Sequence, residues 1–279
     1  MRPSYFVDER TAARVELAEA ELMAAASRAT GALFGVGDFQ VPVRGGFATY
    51  AGPGSPYNNV AGVGFHGVPD AAELDELEHR YAEQQAPVAF EVSALADPDL
   101  LGMLAARGYR LVSFENVLVR DLARDSPPAP EGIEVLREDD DPAWRRTWLD
   151  VVVEAALHPD AEGLAQHEEF SREVLEQAEL AGLDAGVRSY LALVDGTPAG
   201  GAGLRLAGEI AQMAGAGTVP AQRRRGAQTA LVAARLDDAR AAGCDLAVVT
   251  TQPGSPSHAN TQRMGFDLGY TRAVLVKES

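Results

Sequence analysis

Lysine is almost missing from this chain. Of its 24 lysine and arginine residues only Lys277 is a lysine, so a lysine Schiff base is not the chemistry to look for. Cysteine is as scarce: Cys244 stands alone, and no internal disulfide can form. There is no run of about 18 or more apolar residues, which excludes a membrane-spanning helix. The opening stretch MRPSYFVDERTAARVELAEAEL has no apolar segment followed by a small-residue cleavage site. With the lone cysteine, this makes a cytoplasmic location the expectation. Positive charge is short as well. A net charge of −17 lacks the basic footprint that phosphate neutralisation demands, which argues against nucleic acid as a partner. What the chain has is 46% hydrophobic against 23% charged residues over 279 positions. That is the balance of a globular protein with a sizeable core, long enough for one large domain or two ordinary ones.

The clearest break is RDLARDSPPAPEGIEV, residues 120–135. Its three prolines, with Asp125, Ser126 and Gly132, cannot continue a helix or a central strand. We read a first domain at 1–125, a Pro-rich linker at 126–132 and a second domain at 133–279. An amphipathic helix is expected over about 9–28, with Val15, Leu22 and Met23 on its apolar stripe. Strands follow at FQVPVRGGFATYAG and NNVAGVGF, then a helix at DAAELDELEHRYAEQ, a strand at PVAFEVS, a helix at PDLLGMLAARG and a strand at YRLVSFENVLVR. The second half predicts helices over about 142–157 and 161–181, a hairpin around Asp195 and Gly196, and one strand at IAQMAGAGTV. A helix over about 226–242, a strand at DLAVVT, a short helix near 256–264 and a final strand at RAVLVKE complete it. AARGYRLVSFENVLVR and TQRMGFDLGYTRAVLVKE share one layout: helix end, glycine and aromatic, then an alternating apolar strand. That reads as a weak internal duplication. The order of elements predicts an α/β (α+β) class.

The most informative stretch is VPAQRRRGAQTALVAARL, residues 219–236. A strand ending near Val219 and a helix beginning near Gly226 leave backbone N–H groups open at the helix start, where the helix dipole is positive. Such a start favours an anion, a pyrophosphate above all. Gly226 allows close approach to the backbone, and Arg223, Arg224 and Arg225 add charge. The bland alternative is a solvated arginine turn. The pattern is neither a Walker A loop nor a dinucleotide fingerprint, because Gly-Lys-Ser/Thr and G-x-G-x-x-G are both absent.

TVPAQRRRGAQTAL, followed by a helix, a strand and RMGF, resembles the acyl-CoA-binding core of the GNAT superfamily of N-acyltransferases. The resemblance covers about residues 131–279; the first half resembles the fold only faintly and has no arginine-glycine turn. It implies tandem GNAT-like mixed sheets flanked by helices, a pseudo-dimer within one chain, with the C-terminal copy carrying the acyl-CoA motif. Acetyl-CoA or another acyl-CoA would be the co-substrate, with no metal. Arg223 matches the first position of the family turn and Gly226 its glycine, while Gln228 stands where Gly or Ala is usual. The implied CoA contacts are Ala216, Thr218, Val219, Arg223, Arg224, Arg225, Gly226, Ala227, Gln228 and Asn260. Gly215 and Gly217 would keep the preceding strand slim for pantetheine; a bent strand without a ligand explains them equally well.

The chemistry needs a base for the amine and a group for the leaving thiolate. Family spacing counted back from Arg223 reaches Gln212, which cannot take a proton. Glu209 is the candidate base, set against the reading of a surface carboxylate at a hairpin turn. Counting back from Gly265-Phe266 puts Gly254 and Thr261 where the family has Asn and Tyr. Asn260 and Ser257 are then the candidate catalytic residues, in a polar group with Ser255 and His258 that would equally serve to cap a short helix. His158 and His167 fall on the acceptor-side helices, with no metal-ligand spacing. In the first half, Tyr57, Asn58, Asn59, His66, Glu115 and Asn116 are candidates to line a pocket between the halves.

Residues 131–186 hold 16 acidic and 4 basic residues, whereas 187–279 hold 7 and 10. An acidic acceptor wall would draw in a cationic amine; two solvated helices would give the same count. The leading expectation is an acyl-CoA-dependent N-acyltransferase acting on a small amine by direct attack on the thioester. An aminoacyl-tRNA-dependent relative on the same fold, with tRNA as the only nucleic-acid partner, and a non-catalytic acyl-CoA sensor are the alternatives. The oligomeric state is left open.

Overall fold

The computed structural model describes residues 4–138, 141–159 and 170–278. Helix α1 (Glu9–Phe34) starts at Asp8, whose carboxylate accepts the N–H of Thr11 at 2.8 Å. It overruns the expected end near residue 28, because its alanine-rich sequence carries the helix through Gly31 to Gly35, which closes it at a φ of 67°. The first half continues with β1 (Asp38–Val43), β2 (Gly46–Ala51), β3 (Val60–Ala61), α2 (Ala71–Glu83), β4 (Val88–Ser93), α3 (Asp99–Ala106) and β5 (Arg110–Asp121). The second half holds β6 (Ile133–Arg137), α4 (Pro142–Leu157), α5 (Arg172–Asp184), β7 (Arg188–Val194), β8 (Thr197–Ala207), β9 (Ile210–Gln212) and β10 (Ala216–Thr218). After a 3-10 turn at Pro220–Gln222 come α6 (Ala227–Ala241), β11 (Leu246–Thr251), α7 (Pro256–Arg263) and β12 (Asp267–Lys277). The start of the helix expected over 161–181 falls outside the described residues; the described part runs on to Asp184.

Among the described residues the strands form one sheet in the order β1-β2-β3-β4-β12-β5-β11-β9-β8-β7-β6, with β10 added on β8. The two halves trade strands. β12, from the end of the chain, lies between β4 and β5 of the first half. β5 in turn pairs with β11 of the second, from Leu246↔Asp121 to Thr251↔Asn116. The exchanged strands are the two whose sequences share the glycine-aromatic layout. Burial explains the central place of β5: Val117 and Val119 sit in the cluster beneath α1, whereas Leu118 joins the core beneath α6. A strand apolar on both faces belongs in the middle of a sheet.

One face of the sheet carries α2 and α3, whose Leu74, Leu77, Tyr81, Leu100 and Leu104 enclose Phe90 and Val92. In the second half α6 places Leu231, Val232 and Leu236 on Tyr190, Ala202 and Leu204. Helix α1 serves both halves. Its Val15 and Ala18 pack with Val117 of the first half and with Ile210, Val248 and Tyr270 of the second. Further along, Ala26 and Ala29 meet Ala181 of α5. The junction between the halves is thus roofed by α1 and α5.

Candidate active site

The segment expected as one strand over IAQMAGAGTV is two. β9 runs parallel to β11 only as far as Gln212↔Val248, and the Met213 N–H still donates to Val248 O at 2.8 Å. The chain then kinks at Ala214 and Gly215, both of whose carbonyls accept the Gly203 N–H. Beyond the kink β10 pairs with β8 alone, from Ala216↔Ala202 to Thr218↔Gly200. β11 continues to Thr251 with β5 on one side and no strand on the other. The sheet therefore opens between β10 and β11. Gly217 has a packing reason for its identity, since a Cβ there would fall 2.4 Å from that of Ala155 on α4.

The arginine turn closes one end of this opening. Gly226 takes a φ of 91° at the start of α6 and offers no side chain to cap it, so the first-turn amides keep the open character that attracts anions. Pro130 and Ile133 of the linker side lie against Gly226, each 3.1 Å from where a Cβ would sit. The three arginines differ in their engagements. Arg223 donates to Thr218 O at 3.3 Å and to the carbonyl of His158 at the end of α4, so it braces the turn. Arg225 pairs with Asp195 at 2.5 Å and with Gln222 at 2.6 Å. Arg224, at a φ of 62°, is exposed and has no side-chain partner among the described residues. Gln228 accepts a hydrogen bond from Asn260 at 2.8 Å, and Arg263 donates to the oxygen of that Asn260 amide. The side chain that replaces a small residue in the turn thus ties α6 to α7.

The matching helix of the first half, α2, is built the opposite way. Asp70 accepts the Ala72 and Glu73 amides at 3.0 Å each, and Glu73 returns a bond to the Asp70 N–H at 2.8 Å. Arg44 is spent on Glu73 at 2.7 Å. A helix start filled by two carboxylates repels a phosphate.

The candidate residues scatter more widely than expected. Glu209 sits in the β8–β9 turn with its side chain 71% exposed, tied to Arg14, which also holds Asp245. It is at the end of β9 away from the kink. Ser257 is exposed on α7; Ser255 caps that helix by accepting the His258 N–H at 3.1 Å. His158 ends α4 beside Glu154. His167 lies outside the described residues. Gln212 is buried, accepting from Arg205 at 2.7 Å and donating to Glu19 of α1 at 3.1 Å.

A carboxylate that spacing did not reveal lies at the kink. Glu179 of α5 puts an oxygen 3.2 Å from where a Cβ on Gly215 would be. Burial pushes its carboxyl up to about 7, and no hydrogen-bond partner stabilises its charge among the described residues. The Tyr57 hydroxyl donates to Ala178 O at 3.2 Å, one residue away, and burial with the nearby Glu179 raises the phenol. Across the junction Arg272, 1% exposed, meets Glu16 at 2.7 Å, Glu91 at 3.2 Å and Glu115 at 3.7 Å. Its Nη2 is buried without a hydrogen-bond partner among the described residues. Burial first, then neighbouring carboxylates, raise Glu91 and Glu115 against the pull of Arg272. One guanidinium thus faces several carboxylates, and the junction is acidic. The sequence predicts the helix that carries Glu179; which of its residues meets the kink depends on packing between distant segments.

A sheet that opens between two strands, with an uncapped and arginine-flanked helix start at its mouth, defines an acyltransferase-like architecture. Residues 133–266 match the acetyltransferase (GNAT) family, and this half is a GNAT domain. Solved structures extend the likeness over the whole chain. A GCN5-related N-acetyltransferase from Kribbella flavida is 20% identical with a TM-score of 0.60, the alignment covering 91% of this chain and 96% of that one. A tandem GNAT protein from the clavulanic acid biosynthesis pathway is 14% identical, with a TM-score of 0.58 and coverage of 98% and 97%. A GCN5-related N-acetyltransferase from Sphaerobacter thermophilus is 18% identical at a TM-score of 0.55, with 95% and 93% covered. No curated protein matches the chain. The fold is tandem GNAT-like, as the resemblance implied. Among the described residues no helix is long and apolar enough to cross a membrane.

Proposed function

We propose that this protein transfers an acyl group from acyl-coenzyme A, acetyl-CoA first of all, to the amine of a small cationic molecule. The observation that carries the reading is the contrast between the two helix starts. The α6 amides are left uncapped at Gly226 beside Arg224, whereas those of α2 are occupied by Asp70 and Glu73. The α6 amides and Arg224 would hold the pyrophosphate, and the free edges of β10 and β11 would take the pantetheine arm. When bound, the thioester supplies an already activated carbonyl, so the protein's task is mainly placement and proton handling.

Glu179 is the base we assign in preference to Glu209. It adjoins the kink where the strands part, and a carboxyl near 7 is matched to accepting a proton at neutral pH. Glu209 is engaged by Arg14 in a solvent-exposed turn. The 16 acidic against 4 basic residues over 131–186 favour approach of a cationic amine and disfavour an anionic acceptor. Calorimetry with acetyl-CoA, then thiol release over basic and neutral amines at two ionic strengths, tests the reading. Binding, with basic amines faster and the preference shrinking in salt, is expected. No binding would end it, and equal rates at both salts would remove the cationic acceptor.

A further inference from the structure

The first half does more than fill out the sheet, because one of its side chains reaches the second half's α7. His258, on the first turn of α7, has its Nδ1 3.2 Å from the amide nitrogen of Asn116 on β5. The same Nδ1 lies 3.4 Å from the hydroxyl of Thr251, the last residue of β11. Thr271 of β12 donates its hydroxyl to the Asn116 oxygen at 2.9 Å. Asn116 and Thr251 are buried. In this arrangement Asn116 presents N–H to the ring, which pairs with an accepting Nδ1 and a ring proton on Nε2. Nε2 has no partner among the described residues, and the residue is only partly buried. Thr251 stands on the stretch of β11 that has lost its neighbour at the opening. Two residues further along α7, Asn260 is tied to Gln228 at the arginine turn. Helix α7 therefore runs between the end of β11 and the arginine turn, with the His258 ring on its first turn.

We propose that His258 donates an Nε2–H hydrogen bond to the sulfur of the bound thioester and its leaving thiolate, and that Asn116 is a positioning residue which fixes that tautomer. The inference rests on the acyltransferase reading. In the step it assists, the amine nitrogen forms its bond to the carbonyl carbon and gives its proton to the Glu179 carboxylate. The carbon–sulfur bond breaks with its electron pair on sulfur. The Nε2–H bond stabilises that charge without transferring its proton, and the thiolate is then protonated from solvent. A neutral imidazole suits this task as a fixed donor aimed where charge develops. Two of its three supports, Asn116 and Thr271, lie on the exchanged strands.

The test is nitrogen NMR of the full chain labelled in histidine, with the His258→Gln difference spectrum assigning the ring. Calorimetry with coenzyme A and desulfo-coenzyme A accompanies it. The expected result is an unprotonated Nδ1 and a protonated Nε2 in the free protein, with Nε2 shifted by coenzyme A and not by the desulfo compound. Asn116→Leu should let the ring populate both tautomers while coenzyme A affinity changes by less than about threefold, because neutral hydrogen bonds are individually modest. Asn116→Asp, whose oxygens can only accept when ionised, should move the proton to Nδ1 and gives a second reading if the leucine variant does not fold. A proton on Nδ1 in the wild type, or equal shifts with both ligands, would overturn the proposal while calorimetric binding stood. Absence of coenzyme A binding would instead overturn the acyltransferase reading on which it rests.

Discussion

Replacing Glu179 by glutamine should stabilise the protein and disable it. Burial holds this carboxyl up at about 7 against an ordinary 4.5, so the folded state keeps a proton that the unfolded chain releases. Between those two values the native state binds more protons, and wild-type stability falls as pH rises through the window. At about 1.4 kcal/mol per pH unit, the gap sets a ceiling of about 3 kcal/mol on the cost of the ionised group. Part of the residue still reaches solvent, and screening brings the expected cost to about 1–2 kcal/mol. Glutamine carries no charge to desolvate and keeps the shape that packs over Gly215. Urea unfolding at about pH 5, 6, 7 and 8 should show the two proteins nearly equal at the acid end, with the variant ahead by about 1–2 kcal/mol at the alkaline end and m-values unchanged. Thiol release by the wild type should climb with pH through about 7 as the base ionises, and the glutamine variant should lose about 100-fold or more. A variant that is less stable at pH 8, or displaced by the same amount at every pH, would refute the desolvation argument. Retained activity would refute the role as base.

Other sites give independent readings. Arg224→Ala should weaken coenzyme A binding by about three- to fivefold in calorimetry, with the loss shrinking at high salt, whereas Arg225→Ala should act less on binding because its charge is already paired with Asp195. Gly226→Ala forces a side chain into a φ of 91° and against Pro130 and Ile133; about 1–2 kcal/mol of stability, a fall of a few degrees in thermal midpoint and weaker coenzyme A binding are expected. Residues 126–279 produced alone should fail to fold cooperatively by circular dichroism, because the pairing partners of β12 are β4 and β5, and a cooperative transition in that fragment would contradict the exchange.

Local chemistry made much of this legible in the sequence. Gly226 and the arginines marked the helix start because such a start is built from consecutive residues. The shared layout around Gly108-Tyr109 and Gly265-Phe266 signalled a repeat. The exchange of β5 and β12 was invisible, since two similar strands satisfy the same alternation whichever half they join. Family spacing reaches Gln212, with Glu209 only the carboxylate three residues before it, and the count along β9 and β10 assumes one strand, which the kink at Ala214 and Gly215 interrupts. Glu179 and His258 owe their places to contacts with residues far away in the chain, which no spacing rule carries. Asn116 was noted as a pocket candidate, but its partner His258 lies 142 positions on.

Two copies of the same helix start have taken opposite chemistry: α2 closes its amides with its own carboxylates, while α6 keeps them open next to a cation. The capping box gives the first copy helix stability of about 0.5–2 kcal/mol, which an open start must forgo. What the first copy returns is surface for the other. Its α1 supplies Glu16 and Glu19 to the acidic junction, its β4 and β5 supply Glu91 and Glu115, and β5 also sets Asn116 against His258. Asn116 meets His258 only because β5 sits between β12 and β11. Strand exchange therefore makes the halves interdependent: separating them would strip β12 of both its neighbouring strands and His258 of its Asn116 contact.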